Sequence, residues 1–285
     1  MPWYKLVLYA MITAIFWQAT NYFSKELMVL YDITPFELLL FRTFFISVVS
    51  ISQKSWKCPR EHRRKLIFSA LLFVPSLMLN YVGVKYLPIA IITIILQSKQ
   101  FGLLLLGYCI LRETLTVLEV VAMIISFVAM VLIALNDPNQ EGDSPYSVTQ
   151  SQYILGFIAG IFSVLTFAMW LILIRRMKGL NHWIIQLYSN TSAWIALAIY
   201  LLVDWQFVSK RTPFASLING IEVFEGVETA ARPWKAVGIL FLSSICGLLG
   251  QSFMMITNQA CNPARVALLD YIGIVYSFVI DIFLL

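Results

Sequence analysis

The stretch NDPNQEGDSPYSVTQSQ, residues 136–152, is the one long polar, turn-forming break in the chain. Pro, Gly, Asp and Ser follow one another there without an apolar run, a composition that reads as a loop. It contains no Lys or Arg. Working outward from it, apolar runs of membrane-spanning length lie on both sides, five before and four after, and that odd first number decides the fold. A second half that follows five crossings enters the bilayer in the opposite sense to the first. Residues 1–136 and 153–285 therefore read as two inverted repeats joined by the extracytoplasmic linker 137–152.

Composition fixes the class. Of 285 residues, 60% are hydrophobic and 12% charged, with a mean hydropathy of +0.82. Soluble domains carry about twice that share of charge. The chain is an all-α integral membrane protein by this measure. Its formal charge of +5 is split among short connections, without the interleaved aromatic and basic residues of a nucleic-acid surface, so no nucleic-acid partner is expected. The four cysteines form no CxxC pair and complete no zinc pattern. No cofactor, metal site or catalytic constellation is expected, since phosphate loops, carboxylate clusters and placed nucleophiles are absent from the sequence. The chain does not read as an enzyme.

A bilayer core of about 30 Å takes about 20 apolar residues as a helix. The spans expected are Trp3–Phe23, Phe36–Gln53, Leu66–Val84, Ile89–Leu111, Thr114–Leu135, Tyr153–Ile174, Trp183–Val203, Trp234–Thr257 and Arg265–Leu285. Lys and Arg concentrate in KSWKCPREHRRK (54–65) and RRMKG (175–179), which fall on one side if spans alternate. Lysine and arginine mark the cytoplasmic side, so the N-terminus is expected there. Plasma membrane and internal membranes fit equally. The lipid bilayer is the expected partner, with a homodimer as a further one.

The halves also match in detail. AIFWQATN and TFAMWLIL each set a Trp among small or polar neighbours, and KYLPIAIITIIL and NQACNPARVALL each begin with a short proline-bearing connection. Inverted repeats of this kind build secondary transporters, with the solute site near the midplane.

The segment AIFWQATNYFSKEL…DITPFELLLFRTFF resembles the opening of the EamA-type drug/metabolite transporter family: Trp17 followed by Asn21, then Lys25, Pro35 and Arg42. LRETL keeps Glu113 where that family has a Gly-Glu pair. GLLGQSFMMITNQACNPARVALLDYIGIVYSFVIDIFLL resembles the family's ninth-helix region, closest to solute carrier family 35, subfamily G. The resemblance implies ten helices in two inverted five-helix repeats and transport of small organic metabolites. Nine transmembrane helices are expected here, with the tenth absent beyond Leu285. Where the family often has Ser-Pro in the fourth helix, this chain has Ser98-Lys99, so the lysine occupies the proline position.

Ionisable residues inside spans point to function, because a mid-helix charge costs roughly 2.5–3.5 kcal/mol on insertion scales. Lys99, in LQSKQ, and Arg42 and Asp270 are the candidates, with Asp281 less deep. At about 100° per residue Thr93, Gln97, Gln100 and Gly107 share a stripe, and Lys99 is turned away from it. A continuous fourth helix would then be polar on nearly every side, which places it among other helices and excludes Lys99 from lipid. Lys99 has three readings, of which the first two are compatible: an ion pair with Asp270, a cation for an anionic or polar solute, or a lysine that snorkels or is neutral. Arg42 either snorkels or pairs with Glu37, or it lines an outer vestibule. The expected solute-binding set is Lys99, Gln97, Gln100, Asp270, Tyr271, Trp17, Asn21 and Arg42. The expected function is transport of a small polar or anionic solute by alternating access. Its rivals are a nucleotide-sugar-type exchanger and a non-transporting truncated paralogue. Asn190-Thr-Ser is a glycosylation sequon inside a span and is expected to stay unmodified.

Overall fold

The computed structural model describes residues 3–31, 33–53, 59–87, 89–111, 117, 120, 121, 124, 125, 128, 149–208 and 233–260. They are helical throughout apart from turns and connections. In chain order the helices are α1 (Trp3–Leu30), α2 (Pro35–Ser52), α3 (Arg60–Tyr86), α4 (Ile89–Gln97), α5 (Lys99–Leu106), α6 (Gln150–Arg176), α7 (His182–Val203) and α8 (Pro233–Ala260). Two π-helical segments, Gly107–Leu111 and Asp204–Val208, continue α5 and α7.

Six helices among the described residues are long and apolar enough to cross a membrane: α1, α2, α3, α6, α7 and α8. The distribution of their side chains makes the same point. On α6 the large apolar residues Ile154, Leu155, Phe157, Ile161, Phe162 and Leu165 are exposed, while Gly156, Ala159, Gly160 and Ser163 are buried. A water-soluble helix turns the large apolar residues inward and the polar ones out. This inverted arrangement suits a hydrocarbon solvent, which welcomes Leu and Phe while small residues seat one helix on another. The chain is thus an integral, multi-pass, all-helical membrane protein. Of the expected fifth span only Val117, Val120, Val121, Ile124, Ile125 and Val128 are described, and all are helical and exposed. The expected ninth span, 265–285, lies outside the described residues.

Helix starts follow local chemistry. Thr34 caps α2: its N–H donates to Glu37 Oε2 at 2.8 Å, and the Glu37 N–H donates to Thr34 Oγ1 at 3.3 Å. Pro35 stands at the first helical position, where its missing N–H costs nothing. Thr149 opens α6 in a related way, its N–H donating to Gln152 Oε1 at 3.1 Å. The helix therefore begins at Gln150, three residues before the expected span start at Tyr153. The basic turn Arg60–Lys65 extends α3 ahead of its apolar run, and those basic side chains are exposed.

The chain folds into two compact units. The first takes Met1–Ile15, Pro75–Gly179 and Phe253–Leu285, and the second takes Phe16–Val74 and Leu180–Ser252. In the first unit Gly156 and Gly160, four residues apart, seat α6. A Cβ on Gly156 would lie 2.9 Å from Tyr86 Cβ, and one on Gly160 would lie 3.1 Å from Ile95 Cγ2. Ser163 Oγ donates to the Ser76 carbonyl at 2.9 Å in the same unit. In the second unit α2 packs against α7. Phe36 meets Tyr200 at 4.7 Å, Phe44 meets Trp194 at 5.7 Å, and Thr191 Oγ1 donates to Ser47 Oγ at 3.3 Å. Residue numbers rise on α2 as they fall on α7, so the pair is antiparallel.

The expected continuous fourth span is two helices. Ser98 separates α4 from α5: its N–H donates to the Ile95 carbonyl at 3.0 Å and its hydroxyl to the same oxygen at 2.6 Å. A serine hydroxyl that competes for a helix carbonyl is a known cause of bending. The π turns at Gly107–Leu111 change the phase again. The side chains of Thr93, Gln97 and Gln100, on which the expected stripe rests, lie outside the described residues.

Candidate functional site

Three of the expected site residues fall in the second unit. Trp17 and Asn21 lie on α1, one turn apart, and Arg42 lies on α2. Asn21 is buried and Trp17 half-buried, while Arg42 is only 4% exposed. The Arg42 guanidinium stands over the Trp17 indole, with Cζ 5.2 Å from the ring centroid. That is within cation–π range, where a desolvated contact contributes about 2 kcal/mol. Gly247 of α8 makes room for it: a Cβ there would come within 2.8 Å of Arg42 Cζ and 2.9 Å of Nη2. Glu37 Oε2 accepts from the Thr34 N–H at 2.8 Å.

The structure adds residues that the sequence reading passed over. On α7, Gln186, Ser189 and Asn190 are all at least 99% buried, and on α8 Gln251 is equally so. Gln186 Nε2 donates to Ser252 Oγ at 2.9 Å. Asn190 Nδ2 donates to the Gln186 carbonyl at 2.9 Å and approaches Gln251 Oε1 at 3.4 Å. Gln186 Oε1, Ser189 Oγ and Gln251 Nε2 are buried without a hydrogen-bond partner among the described residues. The signal was present in the sequence: QLYSN puts Gln186 and Asn190 on one helical face, four residues apart, inside an apolar span.

These groups line one seam. Along α8, Ser243, Gly247, Gly250 and Gln251 share a face, since they are spaced by 4, 7 and 8 residues. Ser243 Oγ lies 3.4 Å from Ser24 Oγ of α1, Gly247 faces Arg42, and Gly250 sits against Trp17, to whose Cε3 a Cβ would measure 3.5 Å. Gln251 meets Asn190. A guanidinium, an indole and a set of carboxamides thus follow one another along about one turn of α8, all within the second unit.

Lys99 lies in the first unit. It is the first residue of α5, half-buried, with Nζ 5.5 Å from the Phe167 ring centroid of α6. The first helical position is also the one that accommodates proline, which explains why a Ser-Lys pair stands where the resembled family often has Ser-Pro. Gln97 ends α4 and Gln100 is the second residue of α5, and their side chains lie outside the described residues. Asp270 and Tyr271 also lie outside them, so the pairing of Lys99 with Asp270 is not addressed by the structure.

Comparison with known proteins gives this site a context. Residues 4–135 match the EamA-like transporter family. Probable purine permease 4 of Arabidopsis thaliana is 27% identical over 139 residues, which is 48% of this chain and 36% of that protein's length. A solved structure titled only "Crystal structure of protein" superposes with a TM-score of 0.66 at 15% identity, covering 98% of this chain and 88% of that one. The chain is therefore similar to EamA-like transporters over residues 4–135, and it shares the fold of a solved structure over nearly its whole length.

Proposed function

We propose that the chain is a membrane transporter that moves a small organic solute by alternating access between two inverted repeats, residues 1–136 and 153–285, with its N-terminus in the cytoplasm. The observation that carries the reading is the seam of the second unit. A buried guanidinium over an indole, followed by buried carboxamides, lies inside spans that are otherwise apolar. Polar groups at membrane depth are expensive and mark solute pathways. The match of residues 4–135 to EamA-like transporters supports the reading. Trp17, Asn21 and Arg42 belong to the solute path in this proposal, with Lys99 as a second cation.

The printed name of the partial relative makes purines the first solutes to test. A second reading is an anionic solute of the nucleotide-sugar type, which the positive charge of Arg42 beside the carboxamides would attract. Reconstituted proteoliposomes preloaded with unlabelled solute separate the two. Saturable, protein-dependent counterflow of adenine supports the first and of a nucleotide sugar the second. Absence of saturable flux for every solute in a panel spanning both classes refutes transport.

A further inference from the structure

Helix–helix glue in membranes works by satisfying polar groups across the interface. The carboxamides of the α7–α8 seam only half do so. Gln186 uses its Nε2 on Ser252 and leaves Oε1; Gln251 receives Asn190 on Oε1 and leaves Nε2; Ser189 Oγ also has no partner among the described residues. These side chains are at least 99% buried. Polar atoms enclosed at this depth are nearly always partnered in folded proteins, so a group of three on adjoining helix faces points to a partner that comes and goes. What remains is complementary in kind: an acceptor on Gln186 and a donor on Gln251. Beside Gln251, at Gly250, stands the Trp17 indole. An aromatic face next to a donor and an acceptor suits a flat ring whose edge carries a donor beside an acceptor.

We propose that Gln186, Ser189, Asn190 and Gln251 form the specificity-determining contact for an uncharged planar heterocycle of nucleobase type, its edge bonded to the two carboxamides and its face against the side of the Trp17 indole opposite Arg42. The assignment rests on the transport reading above and adds the residues that read the edge of such a solute. In this proposal α7 and α8 also part within the second repeat, in addition to the movement of one repeat against the other, and that opening admits the solute. Binding then supplies the bonds that the closed seam leaves unmade.

The test is competition against labelled adenine in proteoliposomes, using adenine and 6-dimethylaminopurine, a ring of the same kind whose exocyclic donor is blocked. The native protein prefers adenine by about tenfold, the worth of one well-made hydrogen bond to an otherwise unpaired group. In Gln251→Met and Gln186→Met, near-isosteric changes that delete the carboxamide, the preference falls toward one and the KM for adenine rises by about tenfold. Ser189→Ala replaces either variant that aggregates on gel filtration. An unchanged preference in well-folded variants, or none in the native protein, overturns the assignment. Thermal stability in detergent separates this from failure of the transport reading. If no solute is taken up but adenine raises the Tm of the native protein and not of the variants, transport falls and the binding assignment stands. If adenine does neither, the assignment falls as well.

Discussion

Replacing Gly247 by alanine tests the Arg42 arrangement. The added Cβ would lie 2.8 Å from Cζ, about 0.6 Å inside the 3.4 Å at which ordinary contact begins. The guanidinium is only 4% exposed and stands over Trp17, so its retreat weakens the cation–π contact as well as crowding the seam. Overpacking costs about 1–3 kcal/mol. Against it stands the gain of roughly 0.5–1 kcal/mol from removing a glycine from a helix. Gly247→Ala is thus expected to destabilise by about 1–2 kcal/mol in reversible unfolding in mixed micelles, followed by tryptophan fluorescence. In an Arg42→Ala background the obstacle is gone, and the same change is expected to stabilise by about 0.5 kcal/mol. Gly238→Ala, where a Cβ meets nothing within 4 Å, is the control and is expected to be neutral or stabilising. Equal effects of Gly247→Ala in both backgrounds, within the ~0.5 kcal/mol expected of independent sites, would refute the reasoning.

Other expectations follow from the helix seams. Ser163→Ala removes the bond to the Ser76 carbonyl and is expected to cost about 0.6 kcal/mol, the average for such bonds in a membrane; a stabilising change in the same unfolding assay contradicts it. Lys99→Pro is expected to leave gel-filtration behaviour and Tm near native, because the residue opens α5, whereas Ile95→Pro within α4 is expected to cost about 3 kcal/mol. A lipophilic maleimide is expected to label the exposed Cys109 and spare the buried Cys246 in a Cys58→Ser, Cys261→Ser background; equal labelling of both in folded protein contradicts that burial.

The membrane class and six of the spans were legible because hydrocarbon thickness imposes a length on every apolar run. The starts of α2 and α6 were read from the apolar runs at Phe36 and Tyr153, whereas Thr34 with Glu37 and Thr149 with Gln152 open these helices at Pro35 and Gln150. Arg42 and Trp17 stood out individually, yet nothing in the sequence says that one lies over the other or that Gly247 makes the space. A helical pattern assigns a face and leaves its partner open. The carboxamides were missed for a related reason: Asn190 registered only as part of a sequon, and its four-residue spacing from Gln186 becomes meaningful once α8 brings Gln251 opposite. Gly156 and Gly160 are a small-residue pair whose role likewise depends on which helix arrives. The break at Ser98 was hidden by the rotation argument itself, which assumes one unbroken helix.

That break also has an electrical side. A helix carries roughly half a positive charge at its start and half a negative charge at its end. With α4 ending at Gln97 and α5 starting at Lys99, the lysine stands beside the negative end of α4 and at the positive end of α5. The ammonium is favoured by the first and opposed by the second, and the Phe167 ring adds to its support. Being rooted at the first residue of α5, its charge travels with that half-helix. Any tilt of α5 about Ser98 moves charge through the membrane field, which acts with about 2.3 kcal/mol per elementary charge per 100 mV for a full crossing. A tenth of that path is worth about 0.2 kcal/mol, enough to bias a balanced pair of conformations and to make membrane voltage one of the variables that set its population.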